Sequence, residues 1–325
     1  MVLAAGVLAL TGCGGSTSPS GRSGHADTAA VETAQRPLPA PRPRALRASR
    51  VGRLPAPVQL PAVAATRTRI YAFGGLDQAD ASVADVVLVH GRHARVVGQL
   101  PRAQHDGAAA ALGNSVYFFG GGDAGTTSPA ILRYGHGRAV AAGTLPVGLS
   151  DVAAATIGGT AYVVGGYTGR VPVRAILAFH PGGRVSVAAE MPEPLRYAAV
   201  AAVGGRLLIA GGTSGGVATD AVLRFDPATG GVKRIATLPA PITHAAGAAL
   251  DGAFYVIGGR SDSLTGQSAA IYSVNPVSGR VRHAGYLPVA LSDAAAASLR
   301  SRIVLLGGRD RSGRVHDDIW SLTPR

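Results

Sequence analysis

A glycine pair returns six times along this chain, at Gly74-Gly75, Gly120-Gly121, Gly165-Gly166, Gly211-Gly212, Gly258-Gly259 and Gly307-Gly308. Successive pairs stand 46, 45, 46, 47 and 49 residues apart. A second landmark is locked to the first: Leu54, Leu100, Leu145, Met191, Leu238 and Leu287 each precede a proline, and each lies 20 residues before its doublet. An offset held six times marks a structural repeat. A period in the forties, made of short apolar runs and Gly-rich turns, predicts a β-propeller with one blade per repeat.

The repeat that opens at Leu145-Pro146 shows the parts. An alanine-rich run (Asp151 to Thr156) is followed by a turn at Gly158-Gly159 and an apolar strand, Ala161 to Val164, that ends at the doublet. Ala175 to Phe179, a turn at Pro181-Gly182-Gly183, and Val185 to Ala188 complete four short strands. Glycine suits the doublet because it takes positive φ without steric cost. Alanine is a poor strand former, but it fits a strand next to a central axis, where large side chains would collide. Ala108 to Ala111, Ala198 to Ala202, Ala245 to Ala249 and Ala294 to Ala297 repeat that feature.

Tyr-x-x-Gly-Gly occurs at Tyr71, Tyr117, Tyr162 and Tyr255, and Phe225-Asp226-Pro227 and Val274-Asn275-Pro276 follow third strands. With these residues the chain resembles the kelch repeat from about Leu46 to its end, within the galactose-oxidase-like superfamily. Leu208 and Val304 replace two of the tyrosines, and the single tryptophan, Trp320, falls in a third strand rather than a fourth. The expected fold is therefore all-β: a six-bladed kelch-like propeller with about four antiparallel strands per blade. The last repeat is one strand short. Leu46 to Gly52 precedes Leu54-Pro55 as Arg92 to Gly98 precedes Leu100-Pro101, so Leu46 to Val51 should complete the blade begun by Asp293. The residue two before each landmark is small throughout: Gly52, Gly98, Gly143, Ala189, Ala236 and Gly285.

Residues Val2 to Leu10 are apolar, and Leu10-Thr11-Gly12-Cys13 resembles the lipobox of bacterial lipoproteins, whose cysteine is lipidated. The run suits a signal-peptide core and is too short to span a bilayer. No Lys or Arg precedes Cys13. Residues 14–45 are rich in Ser, Thr, Pro and Gly and read as a disordered tether. The expected organisation is a signal peptide and lipobox (1–13), a tether (14–45) and a propeller (46–325), exported and lipid-anchored to the cell membrane. Cys13 is the only cysteine, so the propeller has no disulfide, and the cysteine–tyrosine crosslink of the copper radical oxidases is excluded. The formal charge is +13 with one lysine, Lys233. The arginines are spread through the repeats, so no nucleic-acid partner is expected and the chain should be a monomer.

Six residues past each landmark the repeats place Leu60, Asp106, Asp151, Tyr197, His244 and Asp293; one residue earlier stand Gln59, His105, Ser150, Arg196, Thr243 and Ser292. One structural slot thus sets carboxylates, an imidazole and a phenol around the axial mouth. His105, Asp106, Asp151, Arg196, Tyr197, His244 and Asp293 are the candidate ligand-binding residues. Asp or Ser in this slot can also satisfy turn N–H groups, the role expected of Asp151 and Asp293. No metal or other cofactor is expected, and His136, His180, His283 and His316 should lie on the surface. Two functions follow. One is a binding module for a protein, peptide or glycan at the axial mouth and the loop face, where the loops Leu76 to Ala84, Arg260 to Ser268 and Arg309 to Asp317 are the longest or most charged. The other, implied by the sialic-acid mutarotases that share this fold, is a carbohydrate enzyme using mouth Asp and His groups as acid and base.

Overall fold

The computed structural model describes residues 43–325, and the readings made on residues 1–42 lie outside it. Every regular element among the described residues is a strand. In the third blade the strands run from axis to rim as Ala153–Ile157, Thr160–Val164, Ala175–Phe179 and Ser186–Glu190, all antiparallel. The same order recurs around a closed ring of six blades. The first two are joined into one sheet by a single parallel pair, Gln99 with Arg138.

The sixth blade is closed from the other end of the chain. Leu46–Arg53 lies antiparallel to Asp318–Pro324, with Leu46 opposite Pro324 and Arg53 opposite Asp318. Leu46 is fully buried. The Arg325 amide donates to Ala45 O, and the Tyr255 hydroxyl bridges the backbone N–H and C=O of Arg44. No blade edge is left open where the ring joins.

The apolar core is six layers, one in each seam between neighbouring blades. Between the second and third blades, Phe179 meets Tyr117 and Phe119 at centroid distances of 5.3 and 5.5 Å. The alanine runs are the inner strands and pack on one another around the axis. The spacing there is tight: a Cβ at Gly247 would stand 2.5 Å from the Val200 amide nitrogen of the neighbouring inner strand.

Both glycines of every doublet have positive φ. The second donates its N–H across the seam to the carbonyl four residues past the next landmark: Gln104, Leu149, Leu195, Ile242, Leu291 and, closing the ring, Val58, at 2.8–2.9 Å. The first glycine lies under that same oxygen, which a Cβ would approach to 2.1–2.4 Å. The glycine before the landmark has a separate cause at Gly52, Gly98 and Gly285. Every outer strand carries a bulge immediately before it, as at Val51 and Val97, and the bulge turns the strand toward the next blade. A Cβ at Gly52 would then meet Arg92 O at 2.3 Å, and one at Gly98 would meet Gly137 O at 2.5 Å.

Two stability effects follow. Deletion of Leu46–Gly52 should lower the melting temperature sharply, because it reopens the sixth blade; an unchanged melt would contradict the closure. Gly165→Ala combines a strained φ with a clash on Leu195 O and should cost about 3 kcal/mol in chemical denaturation. Gly158→Ala, where no atom lies within 4 Å of the added carbon, should cost less.

Candidate functional site at the axial mouth

The six slot residues share one backbone conformation. Leu60, Asp106, Asp151, Tyr197, His244 and Asp293 all sit in the left-handed region, with φ between 53° and 61°. Their backbones form a belt around the axis. Leu60 N–H donates to Asp293 O (2.7 Å), Asp293 to His244 O (3.1 Å), His244 to Tyr197 O (3.2 Å) and Tyr197 to Asp151 O (3.2 Å). At the next seam Val152 N–H reaches Asp106 O at 3.4 Å. Glycine would take this φ freely, whereas a tyrosine or leucine there is strained by about 1–3 kcal/mol. The chain nevertheless places side chains at all six positions, and they line an axial well of about 100 Å³.

One side of the well is a network of acids and their partners. Asp151 is held by a two-pronged ion pair with Arg196. The Arg196 guanidinium also stacks over the Tyr167 ring at 4.1 Å. The Tyr197 hydroxyl lies 3.3 Å from Asp106 Oδ2, and His105 Nε2 lies 3.7 Å from the same oxygen. Burial, then the negative charges of Asp151 and Asp293, push the Asp106 carboxyl well above the usual carboxylate range. Burial likewise lowers the His105 imidazole and raises the Tyr197 phenol.

The opposite side opens into a larger groove. His244 stacks on Tyr197 with centroids 3.7 Å apart. Its Nε2 accepts from Arg260 at 3.3 Å; because a guanidinium only donates, the imidazole proton sits on Nδ1, which donates to Thr243 Oγ1 at 3.0 Å. Burial, reinforced by the Arg260 and Arg196 charges, pushes His244 down to about 3. The Asp293 carboxyl is raised by burial and is held by the Ser292 hydroxyl. Beyond them lies a groove of about 490 Å³ walled by Arg260, Arg309, Arg311, Asp80 and Gln267, with His244 and Asp293 shared with the well. Arg309 is paired with Asp80 at 2.9 Å. Among the described residues Arg260 and Arg311 have no carboxylate at ion-pair distance; Arg311 donates to Gln267 O at 2.8 Å instead. Gln267 Oε1 is buried with no partner within the protein.

The structure brings Asp106, Asp151, Tyr197, His244 and Asp293 together in the well, with His105 and Arg196 standing outside its wall as partners of Asp106 and Asp151. The cap role expected of Asp151 and Asp293 is not what they do: one binds a guanidinium and the other a hydroxyl, because the left-handed slot aims them inward. His316 is also not a surface residue. Its loop folds back on the sixth blade and seats the imidazole between Asp310 (2.8 Å) and Asp318 (3.2 Å). The groove is built from the three loops singled out on the mouth face, 76–84, 260–268 and 309–317, but its arginines were not among the candidate residues, although the repeat held a signal for two of them. The residue after each doublet (Leu76, Gly122, Tyr167, Thr213, Arg260, Arg309) pairs across to the residue before the slot, which makes a second ring around the first.

A family model described as the Kelch motif matches residues 194–239, one repeat of this chain. No curated protein matches it. Among solved structures, the one titled "Structure of YjhT" is similar, with a TM-score of 0.73 at 16% sequence identity, over 83% of this chain and 96% of that one. At that identity the likeness is one of fold, and the fold is a kelch-type propeller.

An imidazole held neutral in the folded state takes up a proton on unfolding, so His244 should make stability fall as pH drops from about 6.5 toward 3. His244→Gln should flatten the pH dependence of the unfolding free energy over that window by up to about 1.4 kcal/mol per pH unit. Denaturation curves of the two proteins at several pH values test this, and parallel slopes would contradict it.

Proposed function

We propose that the propeller is a binding module whose mouth takes a small hydroxyl-rich anion, such as the acidic residue of a glycan. The observation that carries this is the pair of guanidinium groups, Arg260 and Arg311, that face a 490 Å³ groove without carboxylate partners. Guanidinium matches carboxylate geometry, and the volume suits one or two sugar residues. Three guanidinium groups, Arg260, Arg309 and Arg311, face two carboxylates, Asp80 and Asp293, in its lining, which leaves the groove positive. The apolar run before Cys13 supports a lipid-anchored module outside the cytoplasm.

A second reading, a carbohydrate enzyme, is favoured by one feature of the axial well. Asp106, a buried acid biased toward its protonated form, and His244, a neutral imidazole, line the same cavity. Opening and closing a sugar ring needs such a donor and acceptor.

Thermal-shift titration of the full chain with sugar acids and with neutral sugars separates the outcomes. Sugar acids should stabilise the protein, by about 2.7 kcal/mol at a hundred times the dissociation constant, and neutral sugars should not. Arg260→Gln/Arg311→Gln should weaken binding by at least about tenfold. Equal response to neutral sugars, or none to any sugar, would sink the proposal. If the bound sugar's anomers interconvert faster with the protein and Asp106→Asn stops this without loss of binding, the enzyme reading takes over.

A further inference from the structure

Strands alternate in direction within each blade, so every turn between inner and second strands, and between third and fourth, falls at the end opposite the mouth. These turns are residues 66–69, 90–93, 113–114, 135–138, 158–159, 180–185, 204–206, 226–231, 251–252, 275–280 and 300–302, joined by 43–47 and 323–325 from the closing blade. Together they hold twelve arginines against two carboxylates, Asp226 and Asp251. Asp226 is already bound to Arg206 at 2.9 Å. The other fourteen carboxylates of the described residues lie at or near the mouth end. Twelve of the 27 arginines of the described residues thus share one face, and the fold keeps nearly all carboxylates away from it. Arg67, Arg69, Arg92, Arg138, Arg184 and Arg300 are exposed there. A pocket of about 290 Å³ on the same face is lined by Arg69, His90, His93 and Arg95 and contains no carboxylate.

We propose that this basic face docks onto an anionic phospholipid bilayer. The charge is distributed over the broad end of a disc and matches a planar array of phosphates better than a single strand of polyanion. The turns contain no Phe, Tyr or Trp on which a base could stack, and their only rings are the imidazoles of His90, His93, His136 and His180. Val277 is the one large apolar residue that is strongly exposed in these turns, so attraction is electrostatic rather than by insertion. The described chain also starts here, since Leu46 pairs with Pro324 at this end. The 42 residues before Pro43, with their apolar run, therefore join the protein on the docking side, and the mouth points away from the bilayer.

Sedimentation of the full chain with vesicles tests the face apart from any anchor, provided the chain carries Cys13→Ala. It should pellet with vesicles holding about one-third phosphatidylglycerol at roughly 0.1 M salt, and be released at about 0.5 M. Phosphatidylcholine vesicles should leave it in solution. Arg67→Gln/Arg69→Gln/Arg92→Gln/Arg184→Gln should lower the partition coefficient at least about tenfold with an unchanged melt. Arg102→Gln/Arg170→Gln/Arg314→Gln, at the mouth end, should have little effect. Equal losses from both sets would show net charge rather than a face and overturn the proposal. Binding to duplex DNA without binding to anionic vesicles would overturn it as well, and a sugar-acid response would be unaffected by either result.

Discussion

Six hydrogen bonds, one in each seam, hold the rest of this structure in place. In each, the second glycine of a doublet donates to a backbone carbonyl in the loop of the next blade, and the first glycine has no Cβ to keep that carbonyl away. The receiving residue lies two positions before the slot that faces the axis. A bond that docks one blade on another therefore also sets where the next mouth residue begins. This explains why the landmark and the doublet keep one offset while the loops after the doublet vary in length. The seam tolerates change outside the bonded segment and none within it.

Architecture was legible in the sequence because it depends on backbone constraints that only particular residues meet. Positive φ at twelve doublet positions leaves glycine as the unstrained choice, and crowding at the axis leaves alanine. The strand that closes the ring, Leu46–Arg53, could be found because it keeps the spacing to Leu54-Pro55 that other outer strands keep to their own landmarks. Small residues before each landmark were visible too, but not their reason. The bulge and the carbonyl of the neighbouring blade exist only once the sheets are paired.

The site was half legible. The slot residues could be read by counting from the landmark, and they do line one cavity. What they do there could not be read, because it depends on partners distant in sequence: Arg196 reaches Asp151 from the next repeat, and Arg260 meets His244 from the end of its own blade's second strand. The groove was legible only as the three long or charged loops that wall it, not as residues. Arg311 and Gln267 belong to loops of unequal length, where no repeat register exists to align them. Charge was the most deceptive quantity. Evenly scattered arginine reads as composition, yet alternating strand direction sorts turn residues to one end and loop residues to the other.

The left-handed ring has a consequence for how such a mouth can change. Its backbone conformation is the same whether the residue is leucine, aspartate, tyrosine or histidine, so the geometry does not depend on the side chain it presents. Each position keeps the same backbone frame, although side chains such as Asp106, Tyr197 and His244 meet at the axis. Substituting one alters the chemistry offered at the axis while the belt of backbone bonds and the seams behind it stay as they were. Six such positions on one frame let the chemistry at the axis vary by substitution while the fold behind it stays the same.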